Sequence, residues 1–138
     1  MSGIISRNPE LQFREPATDE RALLERLLEA NFPGRNELST LLGSVLVRTI
    51  DGDGSLELES QVEGKAPVVK GVPVEAEGKD EDGATIHLLL YVEDGRPVEL
   101  EFFREDGKTV KTAPPPSGFE LLVLPPIPSG GRGSRKSR

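Results

Sequence analysis

The sequence predicts an α+β fold, with two N-terminal helices packed on one face of an antiparallel meander sheet of about five strands. Three observations support this expectation. Leucines recur at helical spacing between Leu23 and Leu42, and the apolar period drops to two from Ser44 onward. The longest apolar stretch, Ala84 to Arg104, then contains its own Asp94-Gly95 turn. Helices that come first, followed by strands joined by short turns, belong to a segregated architecture rather than to alternating βαβ units.

Taken in order, residues 1–14 read as an arm. No helical period is sustained there, but Leu11 and Phe13 alternate with Gln12 and Arg14, as in a short edge strand docking on the body. Thr18 is placed to cap the first helix, with Asp19 and Glu20 complementing the positive end of its dipole and Leu23, Leu24, Leu27 and Leu28 forming its inner stripe. Phe32-Pro33-Gly34 closes that element, because proline excludes the preceding residue from helical dihedrals. Asn36 caps a second, short helix with Leu38, Leu41 and Leu42 inside and Gly43 at its end.

Val45, Val47 and Thr49 then alternate with Leu46, Arg48 and Ile50 up to Asp51-Gly52-Asp53-Gly54. Folding back about that turn sets Leu56 opposite Thr49 and Leu58 opposite Val47, which leaves Glu57 and Glu59 beside Arg48 on the other face. Residues 61–71 form a loop or irregular strand. Val72, Val74 and Ala76 alternate again, and Pro73, lacking an amide donor, belongs at a strand start, a bulge or an edge. Lys79 to Gly83 is a charged turn into the central hairpin. After Pro114-Pro115-Pro116, residues 119–124 make a last short strand. The resulting organisation is an arm over 1–14, one α+β domain over 15–124 and a disordered basic tail over 125–138, too poor in apolar residues to offset its ordering entropy. Residues from about Ser129 onward should be removable without changing the melting temperature.

The central hairpin admits two registers. A two-residue type I′ turn pairs Glu93 with Arg96 and sets Leu90 against Glu99 and Leu88 against Glu101, wasting the apolar face. A three-residue turn with Gly95 left-handed pairs Val92 with Arg96, Leu90 with Val98, Leu88 with Leu100 and Ile86 with Phe102, so that every inner pair is apolar. The three-residue register is therefore expected. Its outer face carries Thr85, His87, Leu89 and Tyr91 against Phe103, Glu101, Glu99 and Pro97.

At 138 residues the chain is large enough to bury one core without staples. It has no cysteine, which excludes disulfides and thiolate metal sites, and no apolar run of membrane length; the cytoplasm is the expected compartment. The formal charge is −7, yet Arg132, Arg135, Lys136 and Arg138 are unaccompanied by acids, and without those four the body stands at −11. Such a field repels nucleic acid and membrane phosphates and favours a basic protein partner, while also serving solubility. With no Trp and few aromatic residues, base-stacking platforms are not expected.

Few motifs suggest chemistry. Asp51-Gly52-Asp53-Gly54-Ser55 resembles the start of a calcium loop, but the places that require Gly and Glu hold Leu56 and Val62, so it reads as a hairpin turn. His87 is the single histidine, so no multi-histidine metal site exists. In the expected register it faces Glu101, which reads as an exposed cross-strand pair; a catalytic pair would also need a cleft and a third group. No nucleophile elbow and no phosphate-binding glycine loop is present, and no cofactor is expected.

Two stretches, FREPATDERALLERLLEANFPGRNEL and VRTIDGDGSLELE, with VPVEAEG and IHLLLYVEDGRPVELEFFREDG, resemble a family of small bacterial domains of unknown function over roughly Phe13 to Leu124. The resemblance implies one domain and carries over no functional residue. On the residues themselves, the leading reading is a non-enzymatic interaction module whose binding face comprises His87, Leu89, Tyr91, Glu99, Glu101 and Phe103, by analogy with acidic immunity proteins that neutralise basic toxins. The alternative is a small enzyme or ligand-binding domain with a pocket between helices and sheet, lined by Arg14, Arg48, His87 and carboxylates.

Overall fold

The computed structural model describes residues 12–123. The first helix, α1 (Thr18–Leu27), is capped by Ala17 rather than Thr18. Alanine has no side-chain acceptor, so the entry is fixed differently: Glu20 Oε1 accepts the Ala17 N–H at 2.8 Å, and Arg14 grips both Glu20 oxygens at 2.8 and 3.0 Å. The Arg14 guanidinium, with the Ala17 N–H, holds the Glu20 carboxyl below its ordinary value. The second helix, α2 (Arg35–Gly43), is capped by left-handed Gly34, which leaves Asn36 inside the first turn instead of at the cap. The expected stripes survive these shifts, since Leu24, Leu27, Leu38, Leu41 and Leu42 are all buried.

Six strands follow: β1 (Val45–Thr49), β2 (Leu56–Ser60), β3 (Val74–Lys79), β4 (Thr85–Glu93), β5 (Arg96–Arg104) and β6 (Glu120–Leu122). They form one antiparallel sheet in the order β1-β2-β5-β4-β3-β6, one strand more than expected and not in simple sequential order. The β1–β2 pairing is the expected one, with Thr49 opposite Leu56 and Val47 opposite Leu58, and Val74 opens β3 directly after Pro73. What breaks the meander is the connection over residues 61–73. It crosses the tip of the β4–β5 hairpin, where Ala66 N donates to Gly95 O and Val92 N to Gly71 O at 2.8 Å each, and where the Arg96 guanidinium donates to the carbonyls of Ser60, Val62 and Gly64. β2 is thereby left beside β5, and β3 takes the far side of β4. Of the arm, Arg14 bonds with Val47 through both backbone groups at 2.8 Å; Leu11 and the tail over 125–138 lie outside the described residues.

The hairpin register differs from the expected one. Its tip is the two-residue turn: Asp94 (φ 52) and Gly95 (φ 78) are both left-handed, Glu93 pairs with Arg96 and Val92 with Pro97. A bulge at Val98 then adds one residue to β5, so that Tyr91 faces Glu99, Leu90 faces Leu100, Leu89 faces Glu101, Leu88 faces Phe102 and His87 faces Phe103. Leu88 and Leu100 do face the core. The His87–Glu101 pair does not form. The physical reason is a conflict settled locally: Asp-Gly dictates the tip, burial dictates the phase further along, and the bulge reconciles them. Gly95 is required twice over, for its positive φ and because a Cβ there would stand 2.6 Å from Lys65 Cβ.

The helix leucines share one core with alternate strand residues, among them Val45, Val47, Leu56, Val74, Ala76, Ile86, Leu88, Leu90, Leu100 and Phe102. The helices contact β2, β3 and β5, and α1 also meets the 3-10 helix over Pro116–Gly118. Phe119 follows that helix and closes the core, edge-on to Phe102 at 5.9 Å and against Gly78, where a Cβ would lie 2.9 Å from the ring. Buried Ser55 extends the β2–β5 seam through its side chain: Oγ donates to Phe102 O and accepts from Phe102 N. No helix among the described residues is long and apolar enough to cross a membrane.

Candidate functional site

Directly paired residues share a face, so the ladders define the sheet's other side. One lateral row runs Leu122, Glu75, Leu89, Glu101; a second runs Arg48, Glu57, Glu99, Tyr91; a third runs Glu120, Glu77, His87, Phe103. All six expected partner-binding residues, His87, Leu89, Tyr91, Glu99, Glu101 and Phe103, thus come to one face. They are not equally accessible. Leu89 is only 4% exposed and lies outside the core that the helices cover, so it is a floor of this face rather than a contact on it; the other five are half-buried.

Glutamates occupy half of these positions. Glu57 stands directly across from Glu99, and Glu101 is on the same face two residues along β5. Like charges opposite one another oppose pairing, and among the described residues only Glu57 of these three has an arginine, Arg48 at 2.6 Å, whose guanidinium also lies 4.4 Å from the Phe13 ring centroid. Burial, then the charges of Glu101, Asp51, Glu57 and Glu93, push the Glu99 carboxyl above its ordinary value. Tyr91 Oη donates to Glu101 Oε1 at 2.8 Å. His87 stacks on Phe103, with ring centroids 5.1 Å apart, and its Nε2 lies 2.8 Å from Glu105 Oε1. The carboxylates beside the histidine are therefore Glu105, from the turn after β5, and Glu77, 4.0 Å from Nδ1, and not Glu101.

A second acidic cluster, which the sequence reading missed, sits at the end of the sheet where β5 stops. The Arg104 side chain is 3% exposed. Its Nη1 donates to Asp80 at 3.0 Å and to both Asp82 oxygens at 3.0 and 3.2 Å, while Nε and Nη2 grip Asp106 at 3.1 and 2.6 Å. Burial pushes the Asp80 carboxyl up, but the N–H groups of Lys111, Thr112 and Glu81 together with Arg104 outweigh it and hold the group well below the usual range. The Ala84 N–H and then Arg104 lower Asp82; Arg104 and then the Lys108 N–H lower Asp106 to about 2. The signal was in the sequence, as KDEDG and FREDG: the turn before β4 and the turn after β5 meet at one sheet end once β4 and β5 pair. Asp53, from the calcium-like stretch, accepts the Val110 N–H at 2.9 Å, and Asp51 Oδ1 accepts from Asp53 N and Ser55 N, so both carboxylates hold turn backbone.

The residues of the pocket alternative do not converge between helices and sheet. Arg48 and His87 both lie on the face opposite the core side chains, on β1 and β4, three strand spacings apart laterally and four residues apart along the strands, or about 20 Å. Arg14 is engaged with Glu20 and the Thr49 hydroxyl. Among the described residues no group of three His, Cys, Asp or Glu side chains is arranged to hold a metal ion.

A family model described as a domain of unknown function (DUF6984) matches residues 13–114, which takes in both helices and β1 to β5 and stops before β6. The chain matches no curated protein and no solved structure.

Proposed function

The chain belongs to the DUF6984 family, and from that premise we propose that this member is a non-enzymatic interaction module that binds a basic protein segment on the face of the sheet away from its helices. The observation that supports the reading is the juxtaposition of Glu57, Glu99 and Glu101 on that face. Among the described residues no Lys or Arg stands within ion-pair distance of Glu75, Glu99 or Glu101. Such a like-charge arrangement opposes folding slightly, and a cationic partner would relieve it. Tyr91 and Phe103, half-buried beside the carboxylates, supply the aromatic part that anchors a partner. An immunity-protein-like role, neutralising a basic toxin, is one form of this reading.

The test starts with capture of the partner from the native host, followed by binding kinetics at two ionic strengths. Reversing Glu99→Lys and Glu101→Lys should slow association and flatten its salt dependence, because steering is a long-range effect screened over about 8 Å at physiological salt. Tyr91→Ala should act on dissociation, weakening binding by about 1–3 kcal/mol while the fold persists. If all three variants bind as the parent does, this face is not the interface.

A further inference from the structure

A basic segment of the same chain lies within reach of that face, and we infer that the cations of residues 132–138 dock on it in cis, occupying it until a more basic partner displaces them. The inference rests on the interaction-module reading and adds a regulator to it. Residues 124–138 themselves lie outside the described residues, so the argument proceeds from where the chain leaves the sheet, how much chain follows, and what charge it carries.

The point of departure is specific. β6 flanks β3 at the sheet's edge, and its last residue, Leu122, pairs with Glu75; Glu75 pairs with Leu89, and Leu89 with Glu101. Leu122 therefore stands at the end of one of the rows that make up the acidic face, and the chain departs from that row. At about 4.8 Å per strand, Glu101 is about 14 Å away and β2, with Glu57, about 19 Å. Eight residues, hence nine residue steps, separate Val123 from Arg132. Even in the proline-favoured extended form, at about 3.1 Å per residue, they span about 28 Å, enough to bring Arg132 over Glu99 and Glu101 with slack. The charge is complementary, since Arg132, Arg135, Lys136 and Arg138 are accompanied by no acid, whereas Glu75, Glu99 and Glu101 meet no Lys or Arg among the described residues. A tether this short sets an effective concentration in the millimolar range, so even a weak electrostatic contact is substantially populated at low salt.

The contact is testable without any partner. Amide chemical shifts of the full chain should be compared with those of a variant carrying Arg132→Ser, Arg135→Ser, Lys136→Ser and Arg138→Ser, at about 20 mM and about 500 mM salt. At low salt the two should differ at Leu89, Tyr91, Glu99 and Glu101, and the differences should vanish at high salt. Identical low-salt spectra, or differences confined to α1 and α2, overturn the inference. Differences that grow with protein concentration overturn it as well, because the cations would then be docking on a second copy.

A synthetic peptide of residues 129–138, titrated into both proteins, separates this inference from the reading beneath it. The peptide should bind the serine variant and bind the full chain about two- to tenfold more weakly, since the tethered copy competes. Equal binding to both sinks the cis contact and leaves the basic-partner reading standing. Binding to neither sinks both.

Discussion

The molecule's two acidic clusters use the same side-chain chemistry to opposite ends. At the end of β5, Asp80, Asp82 and Asp106 converge on one buried arginine and on five backbone N–H groups, those of Glu81, Ala84, Lys108, Lys111 and Thr112, and their carboxyls are pulled below their ordinary values. On the outer face, Glu57 stands across from Glu99 with Glu101 alongside, one arginine reaches Glu57 and one tyrosine hydroxyl reaches Glu101, and Glu99 is pushed up. The first cluster ties the β3–β4 turn, the β5 turn and the segment over 110–112 into one corner. The second offers charge outward. Net acidity, read from composition, does not distinguish an acid that holds the fold from one left for a partner; the hydrogen-bond donors around each carboxylate do.

The largest effect should come from removing the cation that makes the first cluster tolerable. Arg104→Met leaves three carboxylates facing one another, with Asp80 fully buried and Asp82 and Asp106 at the rim, and the melting temperature should fall on the order of 10 °C. Arg104→Lys, which keeps the charge but loses the planar fork, should fall in between. If Arg104→Met melts like the parent, the corner does not hold the fold and the contrast drawn here fails.

Acid should separate the clusters next. Carboxyls whose folded pKa is depressed contribute stability that is present above their unfolded value, about 3.9 for aspartate, and is lost as pH falls through the folded value. For Asp106 that window runs from about 4 down to about 2, and Asp80 and Asp82 change in the same direction. Glu99 has the opposite sign. Its raised folded pKa means that ionisation costs stability above that value, and the cost disappears on protonation. Urea titrations between pH 7 and pH 2 should therefore show Asp106→Asn removing part of the acid-side loss, and Glu99→Gln leaving that loss intact.

The smallest effect sharpens the contrast at neutral pH. Glu99→Gln should raise stability slightly, by about 0.5 kcal/mol or less, because the site is partly solvated and salt screens the repulsion. It should also weaken binding of a basic partner. A clear loss of stability in that variant would mean Glu99 belongs to the structural class of acids after all.

Much of this was legible in the residues. Both leucine stripes, the β1–β2 pairing and the strand start after Pro73 follow from periods and turn chemistry that act over a few residues, and the structure keeps them. The six residues proposed for the outer face do share it, because strand parity survives a shift of register by two. The pairing of His87 with Glu101 did not survive, because the two-residue turn and the bulge at Val98 each move the partners along by one, a total of two, without exposing an apolar residue. Arg104 was missed for a related reason: it sits on the core-facing parity at a strand end, where a charged residue looks like an ending until three aspartates from two turns are seen to surround it.

The sequence by itself determined which segments become helices or strands and which alternate residues are buried, since hydrophobic period, proline and Asp-Gly turns are local constraints on the backbone. Only the tertiary structure decided that β2 lies beside β5, that the hairpin carries a bulge, that Leu89 is buried on the outer face, and which acids find donors. Each of those depends on contacts between residues tens of positions apart, such as Ala66 with Gly95, Ser55 with Phe102 and Asp80 with Thr112. Their free energies are comparable to those of the local preferences they override, so the outcome rests on the sum over the whole molecule rather than on any one stretch of it.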